Sequence, residues 1–122
     1  MAEQFDEKSS FDISEIEAEY ADSPDILDEI FAIFESETPD RLERLSSGAE
    51  TGDTAVVQKA AHSLANTSGT LRAERALTLA RATEASARAG DIPTMRERAQ
   101  LLGEEVREIL DQIEARQRSK AT

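Results

Sequence analysis

The segment MRERAQLLGEEVREILDQI places Met95, Ala99, Leu102, Val106, Ile109, Leu110 and Ile113 three or four residues apart. That spacing gathers them on one side of an α-helix, whereas a strand would scatter them over both faces. A long helix with one apolar side has to bury that side, and its natural partners are other helices. The same period recurs upstream. FDISEIEAEY sets Phe11, Ile13, Ile16 and Tyr20 at helical spacing, which predicts a short first helix ending near ADSP. Ser23-Pro24-Asp25 is a start signal: a capping hydroxyl, a proline at the first helical position and an acid in the first turn. The helix that follows aligns Leu27, Ile30, Phe31 and Phe34, and Leu42 and Leu45 resume the stripe. Pro39 interrupts that pattern and predicts a kink or a split near Thr38. Ser46-Ser47-Gly48 and Thr51-Gly52-Asp53 predict its end and a short connection.

Asp53 or Thr54 caps a third helix carrying Val56, Val57, Ala60, Ala61, Leu64 and Leu71. A fourth is predicted from Glu74 to Ala89, with Gly90 as its stop and Asp91-Ile92-Pro93 as the restart of the last. Four substantial amphipathic helices on short links predict an all-α fold: an antiparallel four-helix bundle with a short extra N-terminal helix as a lid. With 122 residues the chain is expected to form one domain over 11–116. Residues 1–10 are read as a flexible N-terminal segment and 117–122 as a flexible, basic tail.

Composition narrows the function. The net charge is -12 and no basic stripe is present, which excludes a phosphate-backbone reader of nucleic acid and points to protein partners. There is no cysteine, so disulfides and thiolate metal sites are ruled out, and no ligand spacing suggests a metal. No apolar run approaches the roughly 20 residues of a membrane span. MAEQFDEKSS lacks the basic and apolar parts of a signal peptide, so a cytoplasmic location is expected. A single histidine without cysteine leaves little room for a nucleophilic triad.

That histidine lies in AAHSLANTSGTL. Each helical residue turns the chain by about 100°, so Val57, Ala61, Leu64, Ser68 and Leu71 form the inward stripe and His62 points almost diametrically outward. Its outward neighbours are Ala55, Gln58, Lys59, Ala65, Asn66 and Gly69, mostly short side chains in a chain that is 33% charged. An outward histidine on a helix is commonly just a solvated residue. It is also an available nucleophile, because neutral imidazole, with a reference pKa of about 6.5, offers a lone pair near neutral pH. A phosphoryl acceptor needs little more than position and access, and small neighbours leave room for a large partner.

TGDTAVVQKAAHSLANTSGTLRAERALTLARATEASARAGD resembles the core of a histidine-containing phosphotransfer (HPt) domain, the shuttle module of multistep phosphorelays. In that family an Ala-His pair is followed by any residue, then Leu-Lys-Gly, small residues, a Leu-Gly-Ala turn and a helix ending in Gly-Asp. Here stand Ala61-His62-Ser63-Leu64, small residues from Thr67 to Thr70, Leu71 and Ala73, then Leu79, Glu84 and Gly90-Asp91. ILDEIFAIFESETPDRLERL is similar to the family's second helix, including Thr38-Pro39, and the likeness spans roughly residues 11 to 115. The resemblance implies a phosphocarrier rather than a free-standing enzyme, with His62 accepting a phosphoryl group from a receiver-domain aspartate and passing it to another receiver. It implies response-regulator receivers or a hybrid histidine kinase as partners, a monomer, and no cofactor of its own, Mg²⁺ belonging to the receiver.

Three positions depart from the family pattern. Its lysine is Ala65 here, its next glycine is Asn66, and the glycine of its turn is Arg72. Lys59, one turn before His62, and the Asn66 amide are the candidates to support the phosphoryl group in the lysine's place. Ala55, Gln58, Ala65 and Gly69 are the candidates for partner docking. Arg72 is expected to impose a right-handed backbone at the turn. The rival reading is a degenerate bundle of the same fold that binds or sequesters a receiver, or another protein, without accepting phosphate.

Overall fold

The computed structural model describes residues 11–121. The expected N-terminal segment 1–10 therefore lies outside the described residues. Five helices and, among the described residues, no strand are present: α1 Ile13–Glu19, α2 Pro24–Thr51, α3 Thr54–Thr70, α4 Glu74–Ala89 and α5 Ile92–Ala121. The all-α expectation holds, and α4 begins and ends where the sequence predicted.

Local chemistry accounts for the boundaries. The Asp12 carboxylate accepts from the Ser14 backbone N–H at 2.9 Å and starts α1, and Asp53 accepts from the Val56 N–H at 3.2 Å and starts α3. Asp91 accepts from the Thr94 N–H at 3.3 Å at the head of α5. Glycine stops α2 and α4: Gly52 and Gly90 have φ of 74° and 73°, left-handed values that other residues adopt only with strain. The links are so short that successive helices must fold back on one another.

The pattern of packing is a ring. α2 lies against α3, α3 against α4, α4 against α5, and α5 returns to α2. At one end the Arg96 guanidinium, from the start of α5, donates to the Ala49 and Glu50 carbonyls at 2.8 and 3.1 Å. At the other, Arg116 of α5 reaches Asp28, near the start of α2, at 2.8 Å. The apolar stripes converge inside the ring, with Phe31, Leu64, Leu79, Met95, Leu102 and Ile113 among the fully buried side chains. α1 sits over the end that holds Asp28: Phe11 and Ile16 are buried, Glu17 pairs with Arg116, and Glu19 accepts from Arg72 Nε at 2.7 Å.

Four local expectations need correction. Pro39 does not split α2, which runs unbroken from Pro24 to Thr51. One backbone donor is lost there, but Phe34 and Thr38 before it and Leu42 and Leu45 after it are all buried, so both halves are anchored in the core. Gly48 does not end α2 either; it lies inside the helix, buried against α3. A Cβ there would sit 2.9 Å from Val57 Cγ2 and 3.0 Å from Val56 Cγ1, so this glycine is a point of close helix approach. Arg72 has φ +57°, not a right-handed value. The Arg72 N–H donates to the Gly69 carbonyl and the Ala73 N–H to the Ser68 carbonyl, a helix-ending pair of bonds that requires the left-handed residue between them. Finally, the helix does not stop at 116: α5 continues through the expected tail to Ala121, where Lys120 forms an ion pair with Asp28.

Candidate functional site

α3 carries His62 halfway along its length. Val57, Ala60, Ala61, Leu64 and Ser68 are buried on the inner side of the helix, which turns the imidazole outward, 63% exposed. The direction inferred from spacing is the one observed.

The ring is nevertheless held. His62 Nδ1 lies 3.0 Å from Glu84 Oε2, on the neighbouring helix α4. An ionised carboxylate only accepts, so Nδ1 carries the hydrogen and donates it. In the neutral ring Nε2 then bears the lone pair, and it has no hydrogen-bond partner among the described residues. The same Glu84 oxygen receives Arg88, one turn further along α4, at 3.4 Å. Glu84 is 16% exposed and Arg88 64%, so the carboxylate is tucked between the helices while the guanidinium stands in water. The arrangement is an exposed imidazole held at Nδ1, with an open Nε2 and a cation that shares the same carboxylate.

Sequence reasoning missed Glu84 as a partner for His62. It stands 22 residues away on a different helix, and no local spacing announces the pair. Its signal lay only in the α3–α4 pairing, which turns the two residues toward one another. Arg88 follows from Glu84 by the helical i,i+4 relation and was missed with it.

The other named positions fall into two groups. Ala55, Lys59, Asn66 and Gly69 are exposed around His62, and Gln58 is half-buried. Lys59 makes no ion pair among the described residues; it borders a cavity of about 220 Å³ with Asp40, Arg41, Arg44, Val56, Ala60 and Ser63. Ala65 is the correction. It is 8% exposed and belongs to the core, not to the outward face.

No helix among the described residues is long and apolar enough to cross a membrane. Comparison with curated proteins and with solved structures returned no match. The family model of the Hpt domain, however, matches residues 29–116, which include His62, Glu84 and all of α3 and α4. The chain belongs to the Hpt domain family.

Proposed function

We propose that this chain is the histidine phosphocarrier of a multistep two-component phosphorelay, built as an antiparallel four-helix bundle with α1 added at one end. It works as a cytoplasmic monomer, between response-regulator receivers or beside a hybrid kinase. The observation that carries the reading is the exposed His62 with Nδ1 bound to Glu84 and Nε2 free.

The chemistry follows from that geometry. His62 Nε2 attacks the phosphorus of a receiver's aspartyl phosphate, a P–N bond forms, the P–O bond breaks, and the aspartate leaves as a carboxylate with the bonding electrons. No proton has to move. Nδ1 keeps its hydrogen, the ring becomes positive, and the Glu84 carboxylate faces that charge. The return step reverses each change. Mg²⁺ bound to the receiver and the receiver's own residues steady the transferring oxygens, so the carrier needs no cofactor.

Where the family has a lysine, Ala65 offers no charge. The supporting groups are Lys59, one turn before the imidazole, and the Asn66 amide, one turn after it, with Arg88 as a further cation from α4. Ala55, Gln58 and Gly69 form the small-residue rim that a receiver would meet. Ala65, being buried, contributes space and not contact.

The test is transfer from a panel of phosphorylated receiver domains, with His62→Gln as control. A label that is lost in acid, survives base and is missing from His62→Gln is the expected result. Receiver binding without any label would support the rival, a bundle that sequesters its partner, and would make the absent lysine the reason.

A further inference from the structure

Between α2 and α5, on the side of the ring opposite the α3–α4 pair that carries His62 and Glu84, lies a groove of about 570 Å³. It has more than twice the volume of the cavity beside Lys59. Leu42, Leu45 and Ala49 of α2 and Ala99 of α5 form an apolar floor, and Gly103 leaves the α5 wall without a side chain. Nothing stands within 4 Å of where a Gly103 Cβ would be, so the space over that residue is open. A trough walled by two antiparallel helices is the shape into which a third helix packs, ridge into groove.

Charge says what the trough accepts. Glu50 and Glu104 edge it together with Arg96 and Arg107, two groups of each sign. A body of net charge -12 is therefore locally balanced here, and a partner need not be basic to approach. Two of the four are engaged: Arg96 donates to the Ala49 and Glu50 carbonyls, and Glu104 accepts from Gln100 at 3.4 Å. The Glu50 carboxylate and the Arg107 guanidinium make no ion pair among the described residues. Arg96 marks the level of Glu50 on α5, and Arg107 lies eleven residues further on, about 16 Å along the axis. The trough thus has an open acid at one end, an open base at the other and an apolar floor between them.

An extended segment would bring unpaired backbone groups to walls with none to offer, because helix backbones bond internally and Arg96 takes the carbonyls near the end of α2. A helix satisfies its own. Helical residues eleven apart point within about 20° of one another, and those at the fourth and seventh steps lie between them on the same face. We infer that the trough takes an amphipathic helix of another protein, running antiparallel to α5. Its first turn sets an acid against Arg107, the fourth and seventh positions beyond lay apolar side chains on the floor, and the eleventh sets a base against Glu50. That order, acid first and base last, also suits the helix's own dipole. The trough lies across the bundle from His62, about 20 Å away through two layers of helix. A protein bound there tethers the carrier and leaves the imidazole clear, so tethering and phosphoryl transfer proceed together.

The probe is a capped synthetic helix of about 18 residues, long enough to hold its shape, with Glu, Leu, Leu and Lys at i, i+4, i+7 and i+11 and Ala and Gln elsewhere. Backbone amide shifts of the full chain report where it binds, and light scattering reports the mass. The shifts are expected at Leu45, Ala49, Ala99 and Gly103. Gly103→Leu fills the trough while keeping a good helix former, so affinity should fall about tenfold or more with the unfolding midpoint no lower than wild type. Arg107→Glu should weaken binding about fivefold, and a probe with Lys in place of its Glu should recover the loss. His62→Gln should bind as the wild type does, which lets this inference and the acceptor reading fail separately. No binding at millimolar probe overturns the site and leaves the acceptor reading untouched. So does binding that Gly103→Leu and Arg107→Glu leave unchanged. Receiver transfer that stops when the probe is bound overturns the claim that both faces serve at once. A mass that doubles with concentration in the wild type, but not in Gly103→Leu, overturns the inference in favour of a second copy of this chain.

Discussion

An imidazole attacks phosphorus only through the nitrogen that lacks a hydrogen, so in the proposed reaction the acceptor beside Nδ1 would decide which atom of His62 reacts. Glu84, on α4, is placed to make that choice. A charge-assisted hydrogen bond contributes about 1.5–3 kcal/mol when well made and less at an exposed site, and each 1.36 kcal/mol in the barrier is about tenfold in rate. Glu84→Ala is therefore expected to slow phosphoryl transfer about tenfold. Glu84→Gln, which can still accept from Nδ1 but carries no charge, should fall between Ala and wild type. Nitrogen NMR of the imidazole provides the independent check: Nδ1–H should dominate in the wild type and in Glu84→Gln, and the tautomers should mix in Glu84→Ala. If Glu84→Ala transfers at the wild-type rate, the carboxylate has no part in the chemistry. At this scale the sequence was half legible. Helical spacing alone oriented His62, because its direction depends on its own helix. Ala65 and Glu84 depend on how the helices pack together, and Arg72 on the bonds of a turn, and neither is a property of local spacing.

Among the elements, α2 and α3 show how one residue type carries opposite meanings. Gly48 read as a helix terminator because glycine after two serines usually is one. It is instead the site where α2 approaches Val56 and Val57 of α3, with no space for a methyl group. Gly69 lies in α3 with nothing within 4 Å of where a Cβ would be. Substituting alanine should then have opposite effects. Overpacking costs about 1–3 kcal/mol, of which alanine's better helix propensity offsets about 1, so Gly48→Ala should lower stability on balance. Gly69→Ala should raise it by up to about 1 kcal/mol. Denaturant unfolding of both variants decides the matter; a stabilised Gly48→Ala would mean that the two helices can part at no cost. The cap at Asp53 and the restart at Asp91 were legible because a cap is a local bond. The continuity of α2 through Pro39 was not, since it rests on buried contacts with other helices on both sides of the proline.

For the molecule as a whole, Arg116 of α5 ties Glu17 of α1 to Asp28 of α2, and Lys120 and then Arg116 hold the Asp28 carboxyl below the usual carboxylate range. A carboxyl group whose folded pKa is depressed adds stability that is fully present above its unfolded value, about 3.9, and is lost as the pH falls through the folded value. The stability difference between wild type and Asp28→Asn should accordingly be constant from pH 7 to about 5 and shrink below about 4. Thermal unfolding of the pair across that range tests it, and a difference that persists at pH 2 would assign Asp28 a role other than its charge. None of this apparatus encloses the imidazole. His62 is 63% exposed, and its ring is steadied from one side only. A phosphoryl group mounted there would meet bulk water from the moment the donor departs. The duration of the signal would then be set by the hydrolysis rate of a bare P–N bond, and the protein would act as a clock only through how soon its next partner arrives.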